Sequence, residues 1–304
     1  MKKVVPYLIC SCIISFCSKV YGQQTPSFNE YYYNPVLINP AYAGFPENAE
    51  IILSTSQSFS GFDGNPRTIN ATANLAVFDR KGGISGGYTR DEIGVTSSTK
   101  FFASYAYRID LNNNYDQVQW WHYNPTFISF GLRTSLLFLE NNLLSLGVEG
   151  DPVFQDIVDV TIPTASLGVL LNEEQFFVGL SVIQLFPNIF FSEKNVKLES
   201  SYQLHAGYYW ITNGDNAMLI KPHTLIKYVP NAPAQFDLNL AVKFQNRMEL
   251  GIGYRTDSTI NFVAGFYFYK RWRAFYTLNQ GFDKNPVNSR HGLVLSYQFG
   301  EGYR

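Results

Sequence analysis

Residues 235–244 read Gln-Phe-Asp-Leu-Asn-Leu-Ala-Val-Lys-Phe. Phe236, Leu238, Leu240, Val242 and Phe244 share one face. Gln235, Asp237, Asn239, Ala241 and Lys243 share the other. This period-2 alternation marks a β-strand with an apolar and a polar side. The same pattern recurs between turn residues, and it predicts strands over 50–59, 67–78, 82–90, 98–109, 125–138, 163–171, 175–183, 202–211, 217–228, 235–245, 248–256, 259–269, 272–279 and 290–299. A soluble sandwich and a transmembrane barrel both alternate in this way. Length separates them, because most of these segments span about 9–12 residues, enough for a tilted strand to cross a bilayer, whereas soluble strands average about five or six. The count of fourteen is even, as bacterial single-chain barrels require. The fold class expected is therefore all-β, a single antiparallel transmembrane β-barrel over 50–304 preceded by an extended leader.

The connections sort by side. With the first strand starting in the periplasm, the turns at 79–81, 172–174, 212–216 and 246–247 are periplasmic and short. The outer connections 139–162, 184–201 and 280–289 are long, which is the habit of outer-membrane barrels. Two connections go against the rule: 110–124 is long on the periplasmic side, and 257–258 is short on the outer side. Pro222 interrupts a predicted strand where a ladder donor is missing, so a bulge or a later strand start is expected there. Gly82-Gly83 and Gly86-Gly87 lack a Walker lysine and read as a closely packed strand.

The first 22 residues carry Lys2 and Lys3, an apolar stretch from Val4 to Phe16, and Val20-Tyr21-Gly22 ahead of Gln23. This is the pattern of a cleaved secretory signal peptide, too short to span a membrane as a helix. All three cysteines lie within it. The residues before Cys12 and Cys17 fit a lipoprotein signal poorly. The remaining chain has no disulfide, thiolate nucleophile or cysteine–zinc site to offer. Its removal takes Lys2, Lys3 and Lys19 from 23 basic side chains and nothing from the 24 acidic ones, leaving an excess of about four negative charges. Such a balance argues against nucleic-acid binding. Aromatics make up 16% of the chain, mostly Tyr and Phe, which suits lipid-facing girdles. Trp120, Trp121, Tyr208, Tyr209, Trp210, Tyr267, Tyr269 and Trp272 fall near predicted strand ends and read as girdle residues.

Candidate chemistry is sparse. None of His122, His205, His223 and His291 stands at metal-ligand spacing from another, and neither a metal nor another cofactor is expected. His205 and His223 fall on lumen registers of neighbouring strands and can approach each other. No Gly-x-Ser-x-Gly elbow supports hydrolysis; a rim hydrolase would need Ser or His with an oriented base. The lumen registers carry Arg108, Arg133, Asp237, Lys243, Glu249 and Arg255. Buried charges of mixed sign must pair, and they fit an ion-paired, filled interior better than a one-sign selective conduit.

Residues 28–44 run Phe-Asn-Glu-Tyr-Tyr-Tyr-Asn-Pro-Val-Leu-Ile-Asn-Pro-Ala-Tyr-Ala-Gly. Two Asn-Pro steps five residues apart signal an extended chain punctuated by turns. This pattern, with Tyr31, Asn34, Pro35, Asn39, Pro40, Ala41, Tyr42 and Gly44, strongly resembles the start of the PorP/SprF family, outer-membrane proteins tied to the type IX secretion system of Bacteroidota. The resemblance continues at Gly61-Phe62-Asp63-Gly64-Asn65-Pro66 in the first outer loop and at Asp91–Gly94. It resumes over Tyr105–Ile109, Leu225–Tyr228, Gln235–Asp237 and Leu250–Arg255. It implies a non-enzymatic outer-membrane barrel over 50–304, a signal peptide over 1–22 and a periplasmic or lumen-lining leader over 23–49. The family role it implies is assisting export and surface anchoring of cargo such as gliding adhesins with a type-B C-terminal domain. Other members connect the translocon to periplasmic ring and peptidoglycan-binding components. The competing readings are a passive channel or hydrophobic-solute transporter, an outer-membrane hydrolase and a soluble sandwich.

Overall fold

The computed structural model describes residues 31–45, 48–58, 64–78, 81–111, 126–142, 157–185, 198–212, 218–282 and 289–303. Its strands are β1 Glu50–Ser58, β2 Arg67–Val77, β3 Gly82–Ile93, β4 Thr96–Asp110, β5 Phe127–Asn142, β6 Ile157–Asn172, β7 Phe176–Leu185, β8 Ser201–Tyr208, β9 Trp210–Ile211, β10 Met218–Tyr228, β11 Gln235–Phe244, β12 Met248–Arg255, β13 Thr259–Phe268, β14 Trp272–Gly281 and β15 Ser289–Gln298. Each pairs antiparallel with its sequence neighbours, except that β8 and β9 both pair with β10, and β1 pairs with β15 from Glu50↔Gln298 to Ser58↔Arg290, so the sheet closes on itself. Closure leaves no row of unpaired backbone groups, as hydrocarbon requires.

The fourteen strands of the sequence reading appear as fourteen staves, with β8 and β9 sharing one. Both pair with β10 in a single register, Gly207↔His223 on one side of the gap and Trp210↔Ile220 on the other. The cause of the gap lies in β10. Tyr209 donates its N–H to Gln175 of the β7 side, so the backbone groups of Tyr208 point the other way, at Pro222. Pro222 has no N–H to return. The expected bulge in β10 is therefore a correction: β10 runs straight, in unbroken register with β11, and the neighbouring stave loses its pairing instead. A register shift does occur elsewhere, between Ala165 and Leu167 on β6, opposite β7, where Gln184 takes φ +61° and donates its N–H to Ser166 Oγ at 3.3 Å.

Outward positions are apolar: Leu238, Phe266 and Leu293 are more than half exposed, and Leu53, Phe101, Leu132, Leu180 and Ile252 lie on the same outer surface. Inward positions carry polar and small residues together with buried aromatics such as Phe102, Phe127, Phe177 and Phe275. A closed barrel with this polarity spans a membrane. Among the described residues no helix is long and apolar enough to do so. The start of β1, the end of β15 and the short turns at 173–175, 245–247 and 269–271 lie at one rim, the periplasmic one by the habit of such barrels.

At the opposite rim the ladders exceed the sequence expectation. β5 and β6 pair over 16 residues each, and β4 joins them with 15, where about 9–11 suffice to cross. The outer loops expected over 139–162 and 184–201 are accordingly shorter, because strand takes up 139–142, 157–162, 184–185 and 201. Residues 143–156 and 186–197 of those loops, most of 280–289 and the 112–125 connection with Trp120 and Trp121 lie outside the described residues. The projecting β5–β6 hairpin buries Leu137, Val160 and Ile162 against Leu198 on its inner side.

Replacing Pro222 by Ala supplies the missing donor to Tyr208. The expected outcome is a slowly exchanging amide at position 222 and a gain of roughly 0.5–1.5 kcal/mol in urea unfolding of the detergent-folded barrel, checked by hydrogen exchange and a denaturant titration.

Candidate functional site

The lumen is occupied by the chain's own leader. Residues Tyr31–Phe45 run through it as two single turns of 3₁₀ helix, Pro35–Leu37 and Pro40–Tyr42. Each begins on an Asn-Pro step, since proline presets φ at a first turn and needs no donor there. The Asn39 side chain caps the second turn by accepting from Ala41 N at 2.8 Å.

Such a segment satisfies few of its own carbonyls, and buried carbonyls need partners. Wall side chains provide them. Arg133 donates to Leu37 O at 3.2 Å and to Val36 O. Ser181 donates to Ile38 O at 2.7 Å, Ser129 to Ala41 O at 2.9 Å, Asn74 to Tyr42 O at 3.2 Å and Arg108 to Gly44 O at 3.1 Å. In return Asn39 Nδ2 donates to the wall carbonyls Val169 O and Leu180 O, and Asn34 Nδ2 donates to Thr72.

The wall is shaped for this approach. Ala76, Gly83, Ala106, Gly131, Gly168 and Ser181 stand opposite one another in successive ladder pairs across β2 to β7. This row of the smallest side chains is a trough across six staves. A Cβ at Gly83 would collide with Ala43, one at Gly131 with Pro40 and Ala41, and one at Gly168 with Asn39. Beside the trough, Val36, Leu37, Ala41 and Tyr42 pack with Phe102, Phe127, Leu170 and Phe177.

The three consecutive tyrosines cover the other side of the lumen. Tyr33 stacks on Phe275 at 3.9 Å and Tyr32 on His223 at 3.9 Å. Tyr31 Oη accepts from Asn239 at 2.9 Å. Gly265 leaves the space that Phe275 fills. A cavity of about 20 Å³ remains beside Tyr32 and Tyr33, room for about one water molecule. A larger depression, of about 820 Å³, lies on the outer wall near Pro222 between Phe176, Tyr208, Leu238 and Tyr254. It faces hydrocarbon and carries no chemistry.

The ionic residues divide into two arrangements. Arg255 grips Asp237 through two bonds of 2.9 Å, the two being cross-strand partners. Glu249, fully buried, accepts from Lys221 at 2.5 Å, Tyr267 at 2.8 Å and Tyr33 at 3.3 Å. Lys243 lies 4.5 Å over the Tyr267 ring and is the ladder partner of Glu249. Arg108 and Arg133 are not in this network: they bind leader carbonyls and lie over Phe127 and Phe102 at 4.1 and 4.3 Å. Sequence reasoning missed Lys221, Glu50, Arg273 and Tyr303. Arg273 bonds Glu50 and Tyr33 O, each at 2.8 Å, and Tyr303 folds back from the C-terminal tail to meet Glu50 and Ser296. Alternation already put Glu50 and Arg273 on inward registers; nothing in the tail's sequence announced its return.

Two further expectations change. His205 and His223 both face the lumen, but each is taken by the leader, His205 Nε2 by Tyr42 Oη at 3.0 Å and His223 by the Tyr32 ring. Tyr209 and Tyr267 are not girdle residues. They lie on inward positions, against Phe177 and Phe275 respectively, whereas Tyr208, Trp210 and Tyr269 are exposed on the outside. Of the first outer loop motif, Gly61, Phe62 and Asp63 lie outside the described residues. Gly64 adopts φ +78° and accepts from Gly94 N, tying the β1–β2 loop to the β3–β4 turn, and Pro66 O accepts from Ser58 N. Among the described residues no cluster of His, Cys, Asp or Glu could hold a metal.

A family model described as "Type IX secretion system membrane protein PorP/SprF" matches residues 20–297. No curated protein sequence matches. Among solved structures, the Acinetobacter baumannii outer membrane protein Omp33 is 9% identical, with a TM-score of 0.47, covering 83% of this chain and 98% of that one. The Ralstonia pickettii toluene transporter TbuX is 10% identical, with a TM-score of 0.49, covering 88% and 93%. A TodX mutant, a monoaromatic hydrocarbon channel, is 10% identical, with a TM-score of 0.48, covering 92% and 95%.

Two tests address the plug. Gly131→Val drives a side chain into Pro40 and Ala41 and should expose the leader to chymotrypsin after Tyr42, with cleavage at least tenfold faster than in the native protein. Gly86→Val, where an added Cβ meets nothing nearer than Phe102 O at 3.6 Å, should leave the cleavage rate unchanged.

Burial raises the Tyr31, Tyr32, Tyr33 and Tyr42 hydroxyls above their ordinary value of 10. Released, these phenols ionise near 10; docked, they stay neutral. Docking is therefore at full strength below pH 10 and weakens as pH rises beyond it. A fluorophore on Phe28→Cys, in protein expressed from Gln23 onward and so without Cys10, Cys12 and Cys17, should report this as falling anisotropy above pH 10.

Proposed function

Because the chain belongs to the PorP/SprF family of type IX secretion system membrane proteins, we propose that it serves that system as a non-catalytic outer-membrane barrel that assists export of cargo and holds it at the cell surface. The observation that carries this reading is the filled lumen. A barrel with Tyr31–Phe45 bonded across its interior is poorly suited to passing cargo or solute, which turns attention to its rims and argues against a passive channel or a hydrophobic-solute transporter. The outer rim offers a rigid mount: the β5–β6 hairpin projects about five residues beyond the bilayer requirement, and its base is braced by Leu137, Val160, Ile162 and Leu198.

In this reading the loops around 143–156, 186–197 and 283–288 contact the C-terminal domain of an exported adhesin or similar cargo. The periplasmic turns and residues 23–30, left after a cleaved signal peptide, face the translocon or the ring and peptidoglycan-binding components. Variation in loops carried on a fixed scaffold is the usual way to change partner without changing fold.

The test replaces 143–156 by a short Gly-Ser turn in the native host. One adhesin-like cargo should be shed into the medium or retained inside, other cargo should export normally, and the barrel should remain heat-modifiable in the outer membrane. Unaltered surface display of every cargo would sink the anchoring role.

A further inference from the structure

We propose that the small-residue trough and the donors beside it form a peptide-binding site, that the leader is its tethered and exchangeable ligand, and that vacating the site opens an anion-preferring pore. Three observations carry this.

The first is the mode of recognition. Arg133, Ser181, Ser129, Asn74 and Arg108 address the carbonyls of Val36, Leu37, Ile38, Ala41, Tyr42 and Gly44. The wall therefore reads a backbone path, as a peptide groove does. The ligand it fits is a neutral segment with two Asn-Pro turns, and Tyr31–Phe45 contains no charged side chain.

The second is independence. The leader contributes no strand, and the sheet closes through β1–β15 and β10–β11 without it. Taking it away breaks no ladder bond.

The third is what its departure would leave. Barrels of about 8 strands are filled by their own side chains, and those of about 16–18 hold an aqueous channel. Fourteen staves with a trough of Gly, Ala and Ser leave space that the leader now fills. Among the described residues the buried charges of the wall are six cations, Arg108, Arg133, Lys221, Lys227, Lys243 and Arg255, against four acids, Glu50, Asp91, Asp237 and Glu249. Once the leader's carbonyls withdraw, Arg108 and Arg133 face water, and a cationic excess in a narrow pore favours anions.

The experiment cuts the leader after folding, so that assembly is not at risk. A specific protease site placed between Phe45 and Ala49 is cleaved in the detergent-folded full chain, and mild urea washes the leader out, its loss verified by mass spectrometry. In planar bilayers the uncut protein should be silent. The emptied barrel should conduct at least tenfold above it, with chloride preferred over potassium. A synthetic peptide of residues 28–45 should restore block saturably, and a scrambled peptide should not. Gly131→Val, uncut, provides a second route to the open state and should conduct as well. An emptied barrel that stays silent overturns the proposal. So does an uncut barrel that already conducts equally, or one the peptide fails to block. A cation preference overturns the assignment of the wall charge. None of these outcomes bears on cargo retention, which depends on the rims.

Discussion

Every backbone N–H and C=O in this molecule must find a partner in a place where bulk water is scarce, and the architecture follows from the ways it does so. The sheet solves the problem by closing, β1 onto β15. The leader cannot, because its proline-led turns form too few internal bonds, so its carbonyls are met by side chains from the wall. The same requirement explains the gap between β8 and β9: Pro222 cannot return a bond to Tyr208, and the pairing to β10 lapses there. On the outer surface that gap lies among Phe176, Leu238 and Tyr254, where apolar cover rather than water surrounds it.

Packing then decides where the leader lies. A chain can bring its backbone against a sheet only where side chains are small, and the ladder register lines up Ala76, Gly83, Ala106, Gly131, Gly168 and Ser181. Large side chains stand on the far wall, where Phe275 and His223 stack on Tyr33 and Tyr32. The division is coupled to charge. Cations beside the trough, Arg133 and Arg108, are balanced in part by carbonyls and aromatic faces. Those on the far wall are balanced by carboxylates: Arg255 on Asp237, Lys221 on Glu249 and Arg273 on Glu50. A buried ion pair is a weak source of stability in itself, but each pair here also fixes a side chain that the leader touches or that borders its path.

Strand number, strand direction and the inward or outward sense of nearly every stave were legible from alternation, because a half-lipid, half-lumen strand cannot hide its period. The lumen positions of Arg133, Asp237, Glu249 and Arg255 followed from the same parity. Partners were not legible, since they depend on register between strands far apart in sequence: Glu249 takes Lys221 from a strand two staves away, and no local pattern joins them. The trough was invisible for the same reason. Gly131 and Gly168 look like ordinary strand glycines until the register sets them side by side. Tyr209 and Tyr267 were misread because an aromatic near a strand end is usually a girdle residue, whereas here the leader gives inward aromatics something to pack on.

This coupling also constrains what the protein can do. A filled interior places exchange with partners at the rims, and the sequence puts its least patterned segments there. The leader bridges both walls, from Tyr33 on Phe275 to Gly44 against Gly83, so it sets the spacing between opposite staves. The Tyr33 contacts to Arg273 and Glu249 border the Tyr303 tail and Glu50 at the periplasmic rim. The outer hairpins stand on β3 to β6, which carry Gly83, Ala106, Gly131 and Gly168 of the trough. Among the described residues the leader thus touches both the staves at the periplasmic rim and those that carry the outer hairpins, and its bonds to the wall couple the two.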